Sequence, residues 1–376
     1  MKIICAPDSF KDSMTAEYAA QIMKNAVLEV RADITVMQMP LADGGEGTAE
    51  TLRRVKNGEW VTVQTMGPLP DMRVESGFTW LPDQKTAVVE MAASSGLQLL
   101  KQKQRNPMRT TTFGTGELIR AAQEKGAETI LLAVGGSATV DMGIGMASAL
   151  GWQFRDAKGE CPCPVGGNLE KIVKIIPPAT GVSAPIRVMC DVENPLLGEQ
   201  GAARVYAPQK GASQKEVAAL EAGLEHMASL VNEQLNIQPD VPRAGASGGL
   251  SAGAVAFLGA KLESGIEAVL KEYRFSELSA DADWILTGEG RFDVTSLRGK
   301  VISGLLNAAG GIRTKFAVFA GKVDLNETDY QASAIDTVRS ITPEGMPLQQ
   351  ALKQAPQLLH DTVDVWAREV LIPYYE

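Results

Sequence analysis

Short apolar runs that end in loops combining glycine with a carboxylate or a hydroxyl, each followed by helical spacing, recur along most of this chain. The first run, residues 2–6, leads through a polar loop to Tyr18, Ile22, Met23, Ala26, Val27 and Val30, which recur at the period of a helix. Residues 34–39 supply the next strand, which enters Asp43-Gly44-Gly45-Glu46-Gly47-Thr48 and a further helix. Strand, loop, helix, strand, glycine loop, helix is the opening of a parallel α/β domain. The functional loops of such a domain leave the carboxyl ends of its strands. Asp8, Lys11, Asp43 and Glu46 are expected along that rim.

The pattern changes near residue 60. Residues 60–63, 73–80 and 86–90 read as strands joined by turns, an antiparallel meander. From Gly114 the alternation returns, with a helix near 117–124, an apolar strand at 129–134, the loop Gly135-Gly136-Ser137-Ala138-Thr139 and a helix near 143–150. A strand at 186–190 then ends on Asp191-Val192-Glu193-Asn194. Ser213-Gln214-Lys215-Glu216 has the form of a capping box, and Val217, Leu220, Leu224, Met227 and Val231 trace a core stripe behind it. A glycine turn at 243–250 precedes a small-residue helix at 251–258. After residue 280 simple units return: strand 284–286 with the loop Thr287-Gly288-Glu289-Gly290-Arg291-Phe292-Asp293, and strand 316–319 with Ala320-Gly321-Lys322. Thr342 with Pro343 marks the start of a final helix.

A chain of 376 residues exceeds what one core usually organises, so two domains are expected. The reading is an α/β protein. Residues 1–62 and 280–376 form a Rossmann-like parallel-sheet domain, into which a mixed α/β domain, residues 63–279, is inserted. Such an insertion usually leaves a cleft. With 45% hydrophobic and 22% charged residues the composition is that of a folded globular chain. A formal net charge of −9, with no long basic tract, disfavours nucleic acid as a partner. The amino-terminal residues lack the apolar core of a signal peptide, and no stretch has the length of a membrane span, so a cytoplasmic location is expected. Cys5, Cys161, Cys163 and Cys190 do not make a disulfide framework. Cys161-Pro162-Cys163-Pro164 reads as a surface turn, and Cys5 and Cys190 as small hydrophobes in buried strands.

Six loops carry the candidate chemistry: residues 8–11, 43–48, 135–141, 191–194, 245–249 and 288–293. Glycine lets backbone N–H groups approach phosphate oxygens, and carboxylates hold Mg²⁺ or take a proton. Phosphoryl transfer needs this mixture, since its catalysis is largely positioning and charge neutralisation. Neither the Gly-x-x-x-x-Gly-Lys-Ser/Thr phosphate loop nor a Gly-x-Gly-x-x-Gly after the first strand is present. Both histidines, His226 and His360, fall within helices and away from the rim. A carboxylate is therefore the expected general base, Asp191 first and Asp8 second. Of the cations nearest the rim, Lys11, Arg291, Arg298, Lys300 and Lys322, Lys11 is the one expected to hold an anion. The candidate set further includes Ser94 and Asn194, with Asp43 and Glu46, for substrate. Gly135, Gly136, Ser137, Thr139, Ser247, Gly248, Gly249 and Glu289 are the candidates for nucleotide, and Asp43 and Asp293 those for the metal.

Ala6-Pro7-Asp8-Ser9-Phe10-Lys11-Asp12-Ser13, Ala42-Asp43-Gly44-Gly45-Glu46-Gly47-Thr48, Glu90-Met91-Ala92-Ala93-Ser94-Ser95-Gly96-Leu97 and Thr111-Thr112-Phe113-Gly114-Thr115-Gly116-Glu117 resemble the bacterial type I glycerate kinases. So do Gly135-Gly136-Ser137-Ala138-Thr139, Cys190-Asp191-Val192-Glu193-Asn194-Pro195-Leu196, Pro208-Gln209-Lys210-Gly211-Ala212 and Thr287-Gly288-Glu289-Gly290-Arg291-Phe292-Asp293. The resemblance implies a two-domain α/β enzyme with its site in an interdomain cleft, converting glycerate and ATP to phosphoglycerate and ADP with Mg²⁺. It further implies the 2-phospho product, within glyoxylate or glucarate breakdown. A non-catalytic sugar-acid sensor and a kinase for a related hydroxy acid are the alternatives, and a homo-oligomer is left open. The chain departs from the family pattern at Val140 and Met142, which flank Asp141, at Glu193, and at Lys322.

Overall fold

The computed structural model describes residues 1–42, 44–45, 47–297, 300–309, 313–331 and 333–372. Asp43 and Glu46, expected at substrate and metal, and Arg298 lie outside the described residues. Among those described, the strands are β1 (Lys2–Cys5), β2 (Thr35–Gln38), β3 (Glu59–Met66), β4 (Arg73–Leu81), β5 (Thr86–Glu90), β6 (Thr129–Ala133), β7 (Gln153–Asp156), β8 (Ile172–Ile176), β9 (Ile186–Met189), β10 (Lys261–Glu263), β11 (Trp284–Phe292), β12 (Lys315–Val323) and β13 (Thr337–Ser340). By internal packing the chain divides into two units, Met1–Asp43 with Ile266–Glu376, and Gly44–Gly265.

The first unit holds a five-stranded sheet of order β13-β12-β11-β1-β2, parallel throughout. The helix Ala16–Val30 is capped by Thr15, whose Oγ1 accepts from the Tyr18 N–H at 3.3 Å. Its buried face, Ala19, Ala20, Ile22, Met23, Ala26 and Val27, joins the core formed with the helix Leu348–Leu371. Trp366 is fully buried there and meets Trp284 and Phe319 edge-on, with ring centroids 5.0 and 5.9 Å apart.

The second unit holds a six-stranded sheet of order β10-β9-β6-β5-β4-β3. β3, β4 and β5 form the expected antiparallel meander, while β5, β6, β9 and β10 run parallel. β7 and β8 make a separate hairpin. The capping box at Ser213 and Glu216 forms, and the stripe Val217, Leu220, Leu224, Met227 and Val231 is buried along the helix Gln214–Leu235. Within the described residues no helix is long and apolar enough to cross a membrane.

Three expectations differ in detail. The division falls at 43/44 and 265/266 instead of near residues 62 and 280. β3 pairs with β4 from Glu59↔Trp80 to Met66↔Arg73, and Ala49 is bonded to Glu90 and Thr79, which carries residues 44–62 into the second unit. At the other end Gly304 packs on Ile266, and the Tyr273 hydroxyl donates to Pro40 O, so the helix Gly265–Tyr273 is held by the first unit. β11 and β12 run six and four residues beyond the apolar cores read as strands, so Gly288, Glu289, Gly290 and Gly321 are strand residues, not loop residues. A Cβ on Gly288 would sit 2.1 Å from Phe319 O and one on Gly321 2.5 Å from Gly290 O; these glycines serve the close approach of two strands. The final helix starts at Leu348 after Pro347, because Pro343 instead opens a turn closed by Met346 N–H to Pro343 O.

Candidate active site

In the second unit the carboxyl ends of four adjacent parallel strands, β5, β6, β9 and β10, release residues 91–95, 134–141, 190–194 and 264–265. Hydrogen bonds join the first two segments: Leu97 N–H donates to Gly136 O at 2.8 Å and Ala138 N–H to Ser95 O at 2.9 Å. Gly136, with φ +74°, is exposed, and Gly135 is half-buried, so this loop turns its backbone toward solvent. Ser94 is fully buried, its Oγ 3.4 Å from Thr115 Oγ1.

Asp191 leaves the end of β9 half-buried. Its Oδ1 accepts from Ser264 Oγ and from the Gly265 N–H, each at 2.7 Å, so the exit of β10 holds the carboxylate in place. Asn194 supports the same loop: its Nδ2 donates to Gln200 O at 2.8 Å and its Oδ1 accepts from the Tyr206 hydroxyl at 2.7 Å. Glu193, one of the departures, pairs with Arg243 at 2.6 Å. A Cβ on Gly44 would stand 2.9 Å from Met189 O, and Glu90 Oε1 accepts the Ala49 N–H at 2.7 Å. The glycine loop before the helix Thr48–Val55 is thereby fixed to the ends of β9 and β5.

The turn that carries Ser247, Gly248 and Gly249 is left-handed at all three, with φ of 54°, 69° and 83°. Gly248 is buried on the Thr139 backbone, where a Cβ would meet Thr139 O at 2.0 Å, and its own carbonyl accepts from Met142 N–H at 3.1 Å. The two glycines are accounted for by this packing; Ser247 is the half-buried member of the three.

At the end of the 134–141 loop lies a buried pair, Asp141 and Lys210, to which the sequence assigned no role. Asp141 is fully buried, and its carboxylate accepts from Thr112 N–H and Oγ1, both at 2.8 Å, and from the N–H groups of Gly143 at 3.0 Å and Gly145 at 3.4 Å. Burial raises its pKa, and those hydrogen bonds oppose the rise. Lys210 is buried beside it and donates from Nζ to Ser137 Oγ at 2.6 Å and to Thr139 O at 2.8 Å. Its signal was present in Pro208-Gln209-Lys210-Gly211-Ala212, where a proline and a left-handed glycine, φ +95°, enclose a lysine next to the buried Ala207.

The first unit gathers a second set. Asp8 N–H donates to Gly288 O at 2.9 Å, and the Asp8 Oδ1 accepts from Ser9 N–H at 2.6 Å. Gly290 lies beside Lys11, whose side chain is exposed, and Glu289 is half-buried on β11. Asp293 Oδ1 accepts from Thr295 N–H at 2.8 Å and Oγ1 at 2.6 Å, and these hydrogen bonds hold its carboxyl below the usual carboxylate range. Arg291 and Lys322 both pair with Asp324, at 2.6 and 2.7 Å, and Lys300 donates to Thr295. His226 is bonded to Ile172 O and His360 to Glu29, so each ties its helix to a neighbouring element.

The sequence profile of the glycerate kinase family matches residues 3–371. The chain is 41% identical over 362 residues to a glycerate kinase of Halalkalibacterium halodurans, covering 95% of each chain. It is 40% identical over 365 residues to the glycerate 2-kinase of Escherichia coli K12, covering 94% of each. A crystal structure described as a candidate glycerate kinase 2 from Salmonella typhimurium LT2 matches with a TM-score of 0.87 at 37% identity, each chain covered in full. On the evidence of profile, sequence and fold together, this chain belongs to the glycerate kinase family.

Proposed function

We propose that the enzyme transfers the γ-phosphoryl group of ATP to the 2-hydroxyl of D-glycerate, releasing 2-phosphoglycerate and ADP in the cytoplasm. The observation that carries this reading is the near full-length identity to a named glycerate 2-kinase, and the strand-end cluster of the second unit supports it. In that step a bond forms between the hydroxyl oxygen and the γ-phosphorus while the bridging bond to ADP breaks. The hydroxyl proton passes to the Asp191 carboxylate, which Ser264 and Gly265 orient. Gly135, Gly136, Ser137 and Thr139, with Ser247, line the phosphates; Asn194 and Ser94 order the loops around glycerate.

Asp8, Lys11 and Glu289 belong to the first unit. Among the described residues no group of three or more His, Cys, Asp or Glu is arranged to hold a metal. Mg²⁺ would enter as the Mg-ATP complex, and the ionised Asp293 is the described carboxylate suited to it. The ion would neutralise phosphate charge.

Purified enzyme mixed with D-glycerate, Mg²⁺ and ATP should release ADP at a rate that depends on glycerate, with a higher kcat/KM than for tartronate or a longer aldonate. A higher kcat/KM for either competitor would reassign the acceptor. No acceptor-dependent ADP release with any of them would overturn the proposal.

A further inference from the structure

Lys210 is the most unusual ionisable group of the second unit that the proposed step leaves unused. It stands on the short turn Pro208–Lys210, and its side chain is 3% exposed. Both atoms that receive its hydrogen bonds, Ser137 Oγ and Thr139 O, are neutral. The charged side chain acting on it is Asp141, but that carboxylate is spent on Thr112, Gly143 and Gly145. Arg105, behind the neighbouring Gly211, approaches through its backbone. Burial without a bonded carboxylate pushes the Lys210 ammonium down to about 7, with Asp141 opposing.

A second observation lies in the same place. Thr139 is fully buried, and its Oγ1 has no hydrogen-bond partner in the protein. An unsatisfied hydroxyl next to a buried cation is costly in a folded chain, and such costs concentrate where a bound group will use them. Ser137 connects this pair to the backbone of the half-buried Gly135 and the exposed Gly136.

The protonation state of Lys210 decides which way the Ser137 hydroxyl acts. A protonated Nζ can only donate to Ser137 Oγ, which leaves the serine proton available to a group on the outer side of the loop. A neutral Nζ has a lone pair that accepts that proton and turns it inward. We propose that Lys210 is the positioning cation of the 135–137 loop: through Ser137 it presents a donor and a positive charge to an anionic group bound there, and it takes up a proton as that anion binds. The anion is a nucleotide phosphate or the substrate carboxylate. The proposal rests on the function given above, but its test does not need turnover.

Calorimetric titration of the full-length enzyme at pH 8, in two buffers of different ionisation enthalpy, reads proton uptake directly. Mg-ADP is titrated in one arm and D-glycerate alone in the other. Uptake with Mg-ADP places a phosphate on the loop, and uptake with D-glycerate places the carboxylate there; either supports the proposal. Lys210→Met should abolish the uptake and weaken that ligand by roughly tenfold, the scale of a charge-assisted hydrogen bond.

Lys210→Arg, which cannot release its proton, should keep more of the affinity and show no uptake, and it serves if the methionine variant fails to fold. No uptake by the wild type with either ligand, or undiminished uptake in a variant, overturns the proposal; a merely structural lysine gives neither signal. Failure of the glycerate assay would instead strike the proposed acceptor and leave the Mg-ADP arm standing.

Stability carries the matching sign. The folded enzyme binds fewer protons at Lys210 than the unfolded chain between about 7 and the ordinary lysine value of 10.5, so wild type should gain stability relative to Lys210→Met as pH rises from 7 to 9.

Discussion

Asp191→Asn is expected to lower kcat about a hundredfold or more, the typical loss when a positioned general base is removed, while the thermal transition stays close to that of wild type. The two effects separate because of how the carboxylate is held. Ser264 Oγ and Gly265 N–H both donate to Oδ1, and an asparagine oxygen in the same place accepts both. On the proposed mechanism, what disappears is the capacity to take the glycerate proton. Steady-state kinetics alongside thermal melts distinguishes loss of chemistry from loss of fold. A kcat within a few-fold of wild type would move the base elsewhere, with Asp8 the next carboxylate to test.

The largest stability effect outside the apolar cores is expected at Asp141. Four donors from Thr112, Gly143 and Gly145 converge on one fully buried carboxylate, which ties the segment before the helix Phe113–Lys125 to the loop that opens the helix Ile144–Ala149. Asp141→Ala leaves those donors without an acceptor in a place water does not reach. Losses of about 3–5 kcal/mol follow when one side of such a buried charged network is removed. Urea unfolding followed by a signal from the second unit reads the change. A loss below about 1 kcal/mol would mean that the loops re-pair without the carboxylate.

Parts of the molecule with regular periodicity were legible in the sequence. The stripe from Val217 to Val231 and the capping box before it lie as their spacing dictates, because a helix buries one face and must satisfy its first N–H groups locally. β11 and β12 were read too short, since glycine is ordinarily a loop signal; the reason for Gly288 and Gly321 is a neighbouring strand's backbone, which the local sequence does not contain. The start at Thr342 and Pro343 obeyed the local rule for a helix, yet the chain uses those residues for a turn and begins the helix at Leu348.

The site shows the same division. Loops at the ends of parallel strands follow from topology, so the position of Asp191, Ser137 and the glycines near them at strand ends could be expected in advance. Lys210 could not be ranked in this way. It is 71 residues from Thr139 and 73 from Ser137 in sequence, and only the folded chain reveals that its charge is buried against them. The departures at Glu193 and Lys322 likewise acquire local partners, Arg243 and Asp324.

The central claim is that phosphate from ATP reaches the 2-hydroxyl of glycerate. The most direct measurement is an NMR spectrum of the product formed from D-glycerate and Mg-ATP by the purified enzyme. The account predicts phosphorus coupling at the C2 proton, the signature of 2-phosphoglycerate. Coupling at the C3 protons instead, or no phosphate ester of glycerate at all, would contradict it.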